Sequence, residues 1–292
     1  MLKQRIITAV LLLPLVACLL FLPNLVTFSA ILIPVFAILA WEWSRLLETN
    51  NVVRTGFIAL TLAAIGILFW QLNQQHFFSN AELPMAWYDV YPFKLLIVAL
   101  LVWVVATVLV LIYPKGGKVL FRGPWLRGLF GIAILAATWL ALVCIRSFNI
   151  TVDYNTGAWM LLLMLLVIWG ADVGAYFSGK NFGKTKLAPI VSPNKTWEGA
   201  IGGLVLAVVI GTIVAVILGL RLNWALFIPF LLLMVTLSIV GDLFESMLKR
   251  RAQIKDSSNI LPGHGGLLDR LDSTLSVAPF FVVGVLWLEL LS

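Results

Sequence analysis

This sequence predicts an all-α, polytopic integral membrane protein with about nine transmembrane helices and a cytoplasmic N-terminus. Three observations carry that prediction. The chain is 62% hydrophobic and only 11% charged, with a mean hydropathy of +1.05, far outside the range of soluble domains. Apolar runs long enough to cross a bilayer, roughly 20 residues each, recur along its whole length. Its lysines and arginines fall almost entirely in alternate connections between those runs, as spanning topology requires.

The runs cover about 6–22, 25–40, 57–72, 93–113, 127–145, 158–178, 199–219, 224–245 and 273–291. On the side of the N-terminus fall Lys3, Arg5, Arg45, Arg54, Lys115, Lys118, Arg122, Arg127, Lys180, Lys184, Lys186, Lys195, Lys249, Arg250, Arg251, Lys255 and Arg270. These are 17 of the 20 basic residues, and only Lys94, Arg146 and Arg221 fall on the other side. The positive-inside rule places the crowded side in the cytoplasm. The expected location is the inner (plasma) membrane of a cell, multi-pass, with the working face toward the cytoplasm. A net charge of +7 does not point to nucleic acid, because no soluble basic domain exists to bind it. The chain divides into residues 1–150, with about five spans, and residues 151–292, with about four spans and the cytoplasmic loops 179–198 and 246–272.

Residues 1–22 imitate a signal peptide, with Lys3 and Arg5 before an apolar run. Apolar Leu19–Leu22 follow the small residues Ala17 and Cys18, so an uncleaved first span is expected. Only Pro23 and Asn24 separate it from the second. Trp41-Glu42-Trp43 closes that second span, a usual interfacial place for tryptophan. The external loop 73–92 carries His76, Glu82 and Asp89 at spacings that suggest no site. Cys18 and Cys144 lie in apolar runs and read as small hydrophobes. Lys115-Gly116-Gly117-Lys118 reads as a topology signal near anionic headgroups.

Asp172 stands inside the sixth span near its cytoplasmic end. An ionisable residue there is costly and is a functional candidate; a structural ion pair is the plainer alternative. Gly183-Lys184-Thr185 is not a P-loop, since the required first glycine falls at Ser178 and a membrane helix precedes it where a strand belongs. The segment Ser192-Pro193-Asn194-Lys195-Thr196-Trp197-Glu198 is a polar, phosphate-gripping candidate. In the seventh span Gly199, Gly203, Ala207, Gly211, Ala215 and Gly219 recur every four residues, a close-packing face that marks the helix as central or as part of a homodimer interface. Asp242, Glu245 and Ser246 share one face at the end of the eighth span.

The longest polar passage, 246–272, is rich in cations and glycines. Oxygen ligands such as those of Asp242, Asp269 and Ser246 suit a hard cation like Mg²⁺, with a second cation left open, and there is no Cys/His set for zinc. Carboxylates, a cation and many basic groups equip a site to bring two phosphate-bearing substrates together. A transporter with a charged gate, its ions carried by Asp172 and Asp242, is the competing reading; it predicts inverted repeats and midplane sites, whereas these charges cluster at one face.

The passage Ser246-x-Leu248-Lys249-Arg250, four residues, Lys255-Asp256, then Pro262-Gly263-His264-Gly265-Gly266-Leu267-x-Asp269-Arg270-Leu271-Asp272 resembles the signature of the phosphatidate cytidylyltransferases (CDP-diacylglycerol synthases). The segments from Ala171-Asp172 to Gly183 and from Ser192 to Gly199 resemble that family too, while the first 150 residues match only as hydrophobic spans. The resemblance implies CTP plus phosphatidate giving CDP-diacylglycerol and pyrophosphate, with Mg²⁺. On that reading Asp242, Asp269 and Ser246 hold metal, and Lys195, Lys249, Arg250, Lys255 and Arg270 neutralise phosphates. Gly265 and Gly266 offer backbone N–H groups to an anion, His264 hydrogen-bonds pyrophosphate, and Asp172, Ser192, Thr196, Glu198 and Asp272 line the substrate site. A CTP-dependent lipid-alcohol kinase is the nearer rival. The alcohol phosphotransferases that consume CDP-diacylglycerol are set aside, because their DGxxAR-type motif is absent.

Overall fold

The computed structural model describes residues 13–80, 91–114, 123–149, 153–220, 223–261, 263 and 265–287. Among them are eight helices long and apolar enough to cross a membrane: α1 (Leu25–Arg45), α2 (Asn51–Gln74), α3 (Lys94–Leu111), α4 (Pro124–Ser147), α5 (Thr156–Phe182), α6 (Trp197–Ile217), α7 (Trp224–Arg251) and α8 (Leu268–Trp287). Residues 13–21 are also helical, but much of the expected span 6–22 lies outside the described residues, as do Lys115–Lys118. Local chemistry sets the helix starts. Asn24, Asn50, Thr196 and Asn223 cap α1, α2, α6 and α7, each accepting a bond from an amide of the first turn, and α4 starts on Pro124.

The boundaries correct the expected polar passages. α7 does not stop at the membrane edge but runs through Arg251, so Ser246, Lys249 and Arg250 are helical; α8 begins at Leu268 and carries Asp269, Arg270 and Asp272. Only residues 252–267 are left to connect them. The connection after α5 is likewise shortened, and it folds as an antiparallel hairpin of β1 (Lys186–Ala188) and β2 (Ser192–Thr196). The hairpin is lashed to the start of α6: Trp197 N donates to Thr185 O at 3.0 Å, and Thr185 N donates to the Glu198 carboxylate at 3.1 and 3.2 Å.

α4 is the central helix, touching α1, α2, α3, α5 and α8. Polar side chains stitch it to its neighbours at membrane depth, where no water can substitute. Trp139 Nε1 donates to Ser29 O of α1 at 3.2 Å, and Thr138 Oγ1 donates to Leu275 O of α8 at 3.2 Å. Contacts therefore cross the division at residue 150, as does the edge-to-face pair Trp103–Phe244. α1 is fastened at both ends. At its start the buried Arg146 donates to Pro23 O at 3.2 Å and to Tyr154 O at 3.0 Å; at its finish Trp43 Nε1 donates to Arg127 O at 3.1 Å, and Arg45 donates to Ser257 O.

α5 and α6 pack with nearly touching backbones. The small residues Gly199, Gly203, Ala207, Gly211 and Ala215 are all buried; a Cβ on Gly203 would lie 2.6 Å from Ala171 O, and one on Gly174 would lie 2.5 Å from Gly202 O. This face of α6 is thus occupied within the chain, while Ile201, Val205, Val209 and Ile213 on the outer face are exposed. Gly203→Val should lower the thermal stability of detergent-purified protein by about 1–3 kcal/mol, whereas Ile201→Val on the outer face should leave the melting temperature within a degree or two.

Candidate active site

The C-terminal ends of α5 and α7, the hairpin, and the N-terminal ends of α6 and α8 meet at one end of the bundle. Between α5, the hairpin, α6 and α7 lies a cavity of about 250 Å³. Its polar end is formed by Asp172, Asn194, Lys195, Thr196 and Asp242; Val235, Ser238 and Ile239 continue its wall one to two turns deeper along α7. Asp242 organises the polar end. Its Oδ2 pairs with Lys195 Nζ at 2.6 Å, and its Oδ1 accepts from Ser246 Oγ at 3.2 Å, one turn along the same helix face as the i, i+4 spacing dictates. Asp172 and Asp272 lie within Coulombic reach of both Asp242 and Lys195, and Arg270 acts on Asp172 from the start of α8. Three carboxylates thus face two cations, an arrangement that favours a further positive charge.

A second cluster sits beside the first, one to two turns further along the same side of α7. Lys249 Nζ is held between Glu245 Oε2 at 2.5 Å and Asp269 Oδ1 at 2.6 Å; the three side chains are 12%, 4% and 8% exposed, respectively. Asp269 Oδ2 accepts three further bonds, from Ser257 N at 2.9 Å, Ser257 Oγ at 2.9 Å and Gly266 N at 2.7 Å. Behind them stands Glu42 of α1, which accepts bonds from Ser258 Oγ and from the Leu267 and Leu268 amides.

These contacts revise several roles. Lys249 was expected to neutralise phosphate, yet it is buried between two carboxylates and ties α7 to α8. Three donors crowd Oδ2 of the Asp269 carboxylate and Lys249 takes one of the two lone-pair sites of Oδ1, so in this arrangement Asp269 can offer a cation only the remaining site on Oδ1. The Gly266 N–H, expected to meet an anion, is given to Asp269, and Gly266 is buried. Gly265 does adopt φ +81°, the left-handed conformation glycine allows, and Leu261 N donates to its carbonyl at 3.0 Å. Glu198 braces the hairpin. Thr196 caps α6, its Oγ1 accepting from Gly199 N at 3.1 Å, and also lines the cavity. Ser192 pairs with Ala188 across the hairpin. Arg250 donates Nε to Val191 O at 3.2 Å, joining the end of α7 to the hairpin. Lys255 is exposed on the connection. His264 lies outside the described residues.

Reasoning from the sequence overlooked Glu42. Its signal was available: a carboxylate between two tryptophans at the end of an apolar run must find partners if the helix end is buried. Among the described residues, no group of three His, Cys, Asp or Glu side chains closes tightly enough to hold a metal ion by itself.

A family model described as "Cytidylyltransferase family" matches residues 3–288. The chain belongs to the cytidylyltransferase family. Its similarity to curated members of that family extends over nearly its whole length. It is 37% identical over 286 residues to a phosphatidate cytidylyltransferase of Haemophilus influenzae, covering 96% of this chain and 97% of that protein. With the Pseudomonas aeruginosa phosphatidate cytidylyltransferase it shares 41% identity over 289 residues, covering 98% and 97%. With that of Bacillus subtilis it shares 33% over 280 residues, covering 95% of each. Family likeness therefore includes the first 150 residues, where the sequence motifs had been silent.

The ion-paired cluster makes a stability prediction. Lys249→Met strands two buried carboxylates and should destabilise the fold by about 3 kcal/mol or more. Adding Glu245→Gln to it should recover part of that loss, as read from thermal unfolding in detergent.

Proposed function

We propose that this cytidylyltransferase-family protein transfers the CMP moiety of CTP to phosphatidate, giving CDP-diacylglycerol and pyrophosphate for phospholipid synthesis. The observation that carries the reading to this particular site is the two-sided cavity. Charged groups at the helix ends face the Asp242–Lys195 pair, and a mostly apolar wall, Val235 and Ile239 with Ser238 between them, descends from Asp242 along α7. A lipid held along such a wall presents its headgroup at the level of a soluble nucleotide.

The chemistry is consistent with the residues present. The second pKa of a phosphate monoester lies near 6, so phosphatidate is already a nucleophile at neutral pH and no general base has to be found. One of its phosphate oxygens forms a bond to the α-phosphorus of CTP; the bond from that phosphorus to the bridging oxygen breaks, and its electron pair leaves with pyrophosphate. The barrier is charge, since one anion must reach the phosphorus of another. Lys195 and Arg270 are the cations we assign to that repulsion, with Asn194 and Thr196 orienting phosphate oxygens.

The donor set also fits Mg²⁺. Hard oxygens of Asp242 and Ser246, with Asp172 and Asp272 near them, surround a position where the Lys195 ammonium already supplies a positive charge. Asp269 would add only its Oδ1, which it shares with Lys249. When bound, the ion would neutralise phosphate charge as the leaving group departs. The distribution of basic residues supports a site on the cytoplasmic face of a cell's inner membrane.

Purified protein given phosphatidate, Mg²⁺ and CTP labelled at the α-phosphate should label the lipid, and γ-labelled CTP should release its label as pyrophosphate. Label passing from the γ-position into lipid would instead favour the lipid-alcohol kinase reading. EDTA should reduce transfer to background and added Mg²⁺ should restore it. Asp242→Asn should lower kcat by about 100-fold or more, the scale of losing one preorganised electrostatic group.

A further inference from the structure

Glu42, at the end of α1, is 0% exposed, and a buried carboxylate persists only where its oxygens are matched by donors. Among the described residues, all of its donors come from the far end of the chain. Oε1 accepts from Ser258 Oγ at 2.5 Å and from Leu267 N at 2.9 Å; Oε2 accepts from Leu268 N at 2.5 Å. The Leu267 and Leu268 amides belong to the opening turn of α8, whose first N–H groups have no partner within the helix and whose partial positive charge favours a carboxylate. Gly266 fits beneath because it lacks a side chain; a Cβ there would collide with Glu42 Oε1 and Ser257 Oγ. Three residues along α1, Arg45 Nη1 donates to Ser257 O.

The connecting loop is therefore held from α1 at Ser257 and Ser258, and again where it enters α8 at Leu267 and Leu268. The next residues are Asp269 and Arg270. Glu42 makes none of its bonds with the cavity and contributes no group to it.

We propose that Glu42 is a positioning residue of the transfer reaction: by holding the Ser257–Leu268 turn, it sets where α8 presents Asp269 and Arg270, without touching substrate. The proposal rests on the phosphatidate cytidylyltransferase reading above. It gives the N-terminal helices a part in catalysis that the C-terminal motifs do not contain.

The test is Glu42→Gln, which keeps the volume but replaces one acceptor by an NH₂ group. Either flip of that amide points a donor at the Leu267 or Leu268 N–H. In full-length protein the Leu267 and Leu268 amides should then exchange hydrogen faster than in wild type. In the lipid-labelling assay, kcat per folded molecule should fall about 10-fold, with the KM for CTP within about 3-fold, because a displaced turn misplaces groups in the transition state more than it weakens binding. Ser258→Ala removes a single donor and should cost about 2–5-fold in kcat, and its effect should not add to that of Glu42→Gln. A folded Glu42→Gln protein with wild-type kcat, or with a loss confined to melting temperature, overturns the proposal. Should that variant not fold, Ser258→Ala decides alone: wild-type kcat and exchange overturn the proposal, and the partial loss supports it. If wild-type protein labels no lipid, the functional reading fails instead, while the exchange data still report on whether Glu42 holds the turn.

Discussion

The Lys249 ammonium, held between the Glu245 and Asp269 carboxylates, is the interaction on which this end of the molecule depends. Lys249 and Glu245 lie one turn apart on α7, and Asp269 opens α8, so one cation joins two helices whose connection is a loop of irregular backbone. Removing charges from water is expensive and is offset only when geometry and further hydrogen bonds are good. Here Asp269 adds Ser257 and Gly266 to the set, so the ion pair organises the loop as well as the helices. The neighbouring cluster around Asp242 has the opposite character. It opens on a cavity, its carboxylates outnumber the cations near them, and its one lysine comes from a hairpin rather than from a packed helix. Structural and chemical charge are thereby separated along α7, the ion pair lying one to two turns beyond Asp242.

Much of the fold was legible because spanning helices need long apolar runs, and eight of the expected runs are helices in the described residues. What could not be read was where helices continue after the apolar run stops. Lys249–Arg251 look like loop in a hydropathy profile, yet α7 continues through them because the backbone bonds of a helix need no apolar side chains once packing has fixed the preceding turns. The hairpin was equally hidden. Ser192-Pro193-Asn194-Lys195-Thr196 lacks the apolar alternation that marks a half-buried strand, and it is paired through backbone bonds and braced by Glu198.

For the candidate site, the sequence showed which residues gather better than which contacts they make. Asp172, Lys195, Thr196 and Asp242 meet around one cavity, and Ser246 bonds Asp242 as its spacing suggested. Lys249 and Gly266 were read as facing phosphate, and Asp269 as holding metal, because conspicuous charge and glycine suggest a ligand, but a sequence does not display which carboxylate already owns a given cation or amide. Glu42 was missed for the complementary reason: its partners lie more than 200 residues away, and no local pattern announces so distant a pairing.

The fastening of α1 at both ends has a mechanical meaning. Arg146 grips the chain just before the helix, and Arg45 and Glu42 grip the loop at its finish. Between those grips run 21 residues, a rod of about 31 Å at 1.5 Å per residue, close to the thickness of a bilayer's hydrocarbon core. A hydrogen-bonded helix resists stretching even with Pro34 inside it, so the two grips hold the loop at a nearly constant distance from the other end of the bundle. A bilayer of different thickness has to deform at its contact with the protein, while the separation of the two grips stays the same.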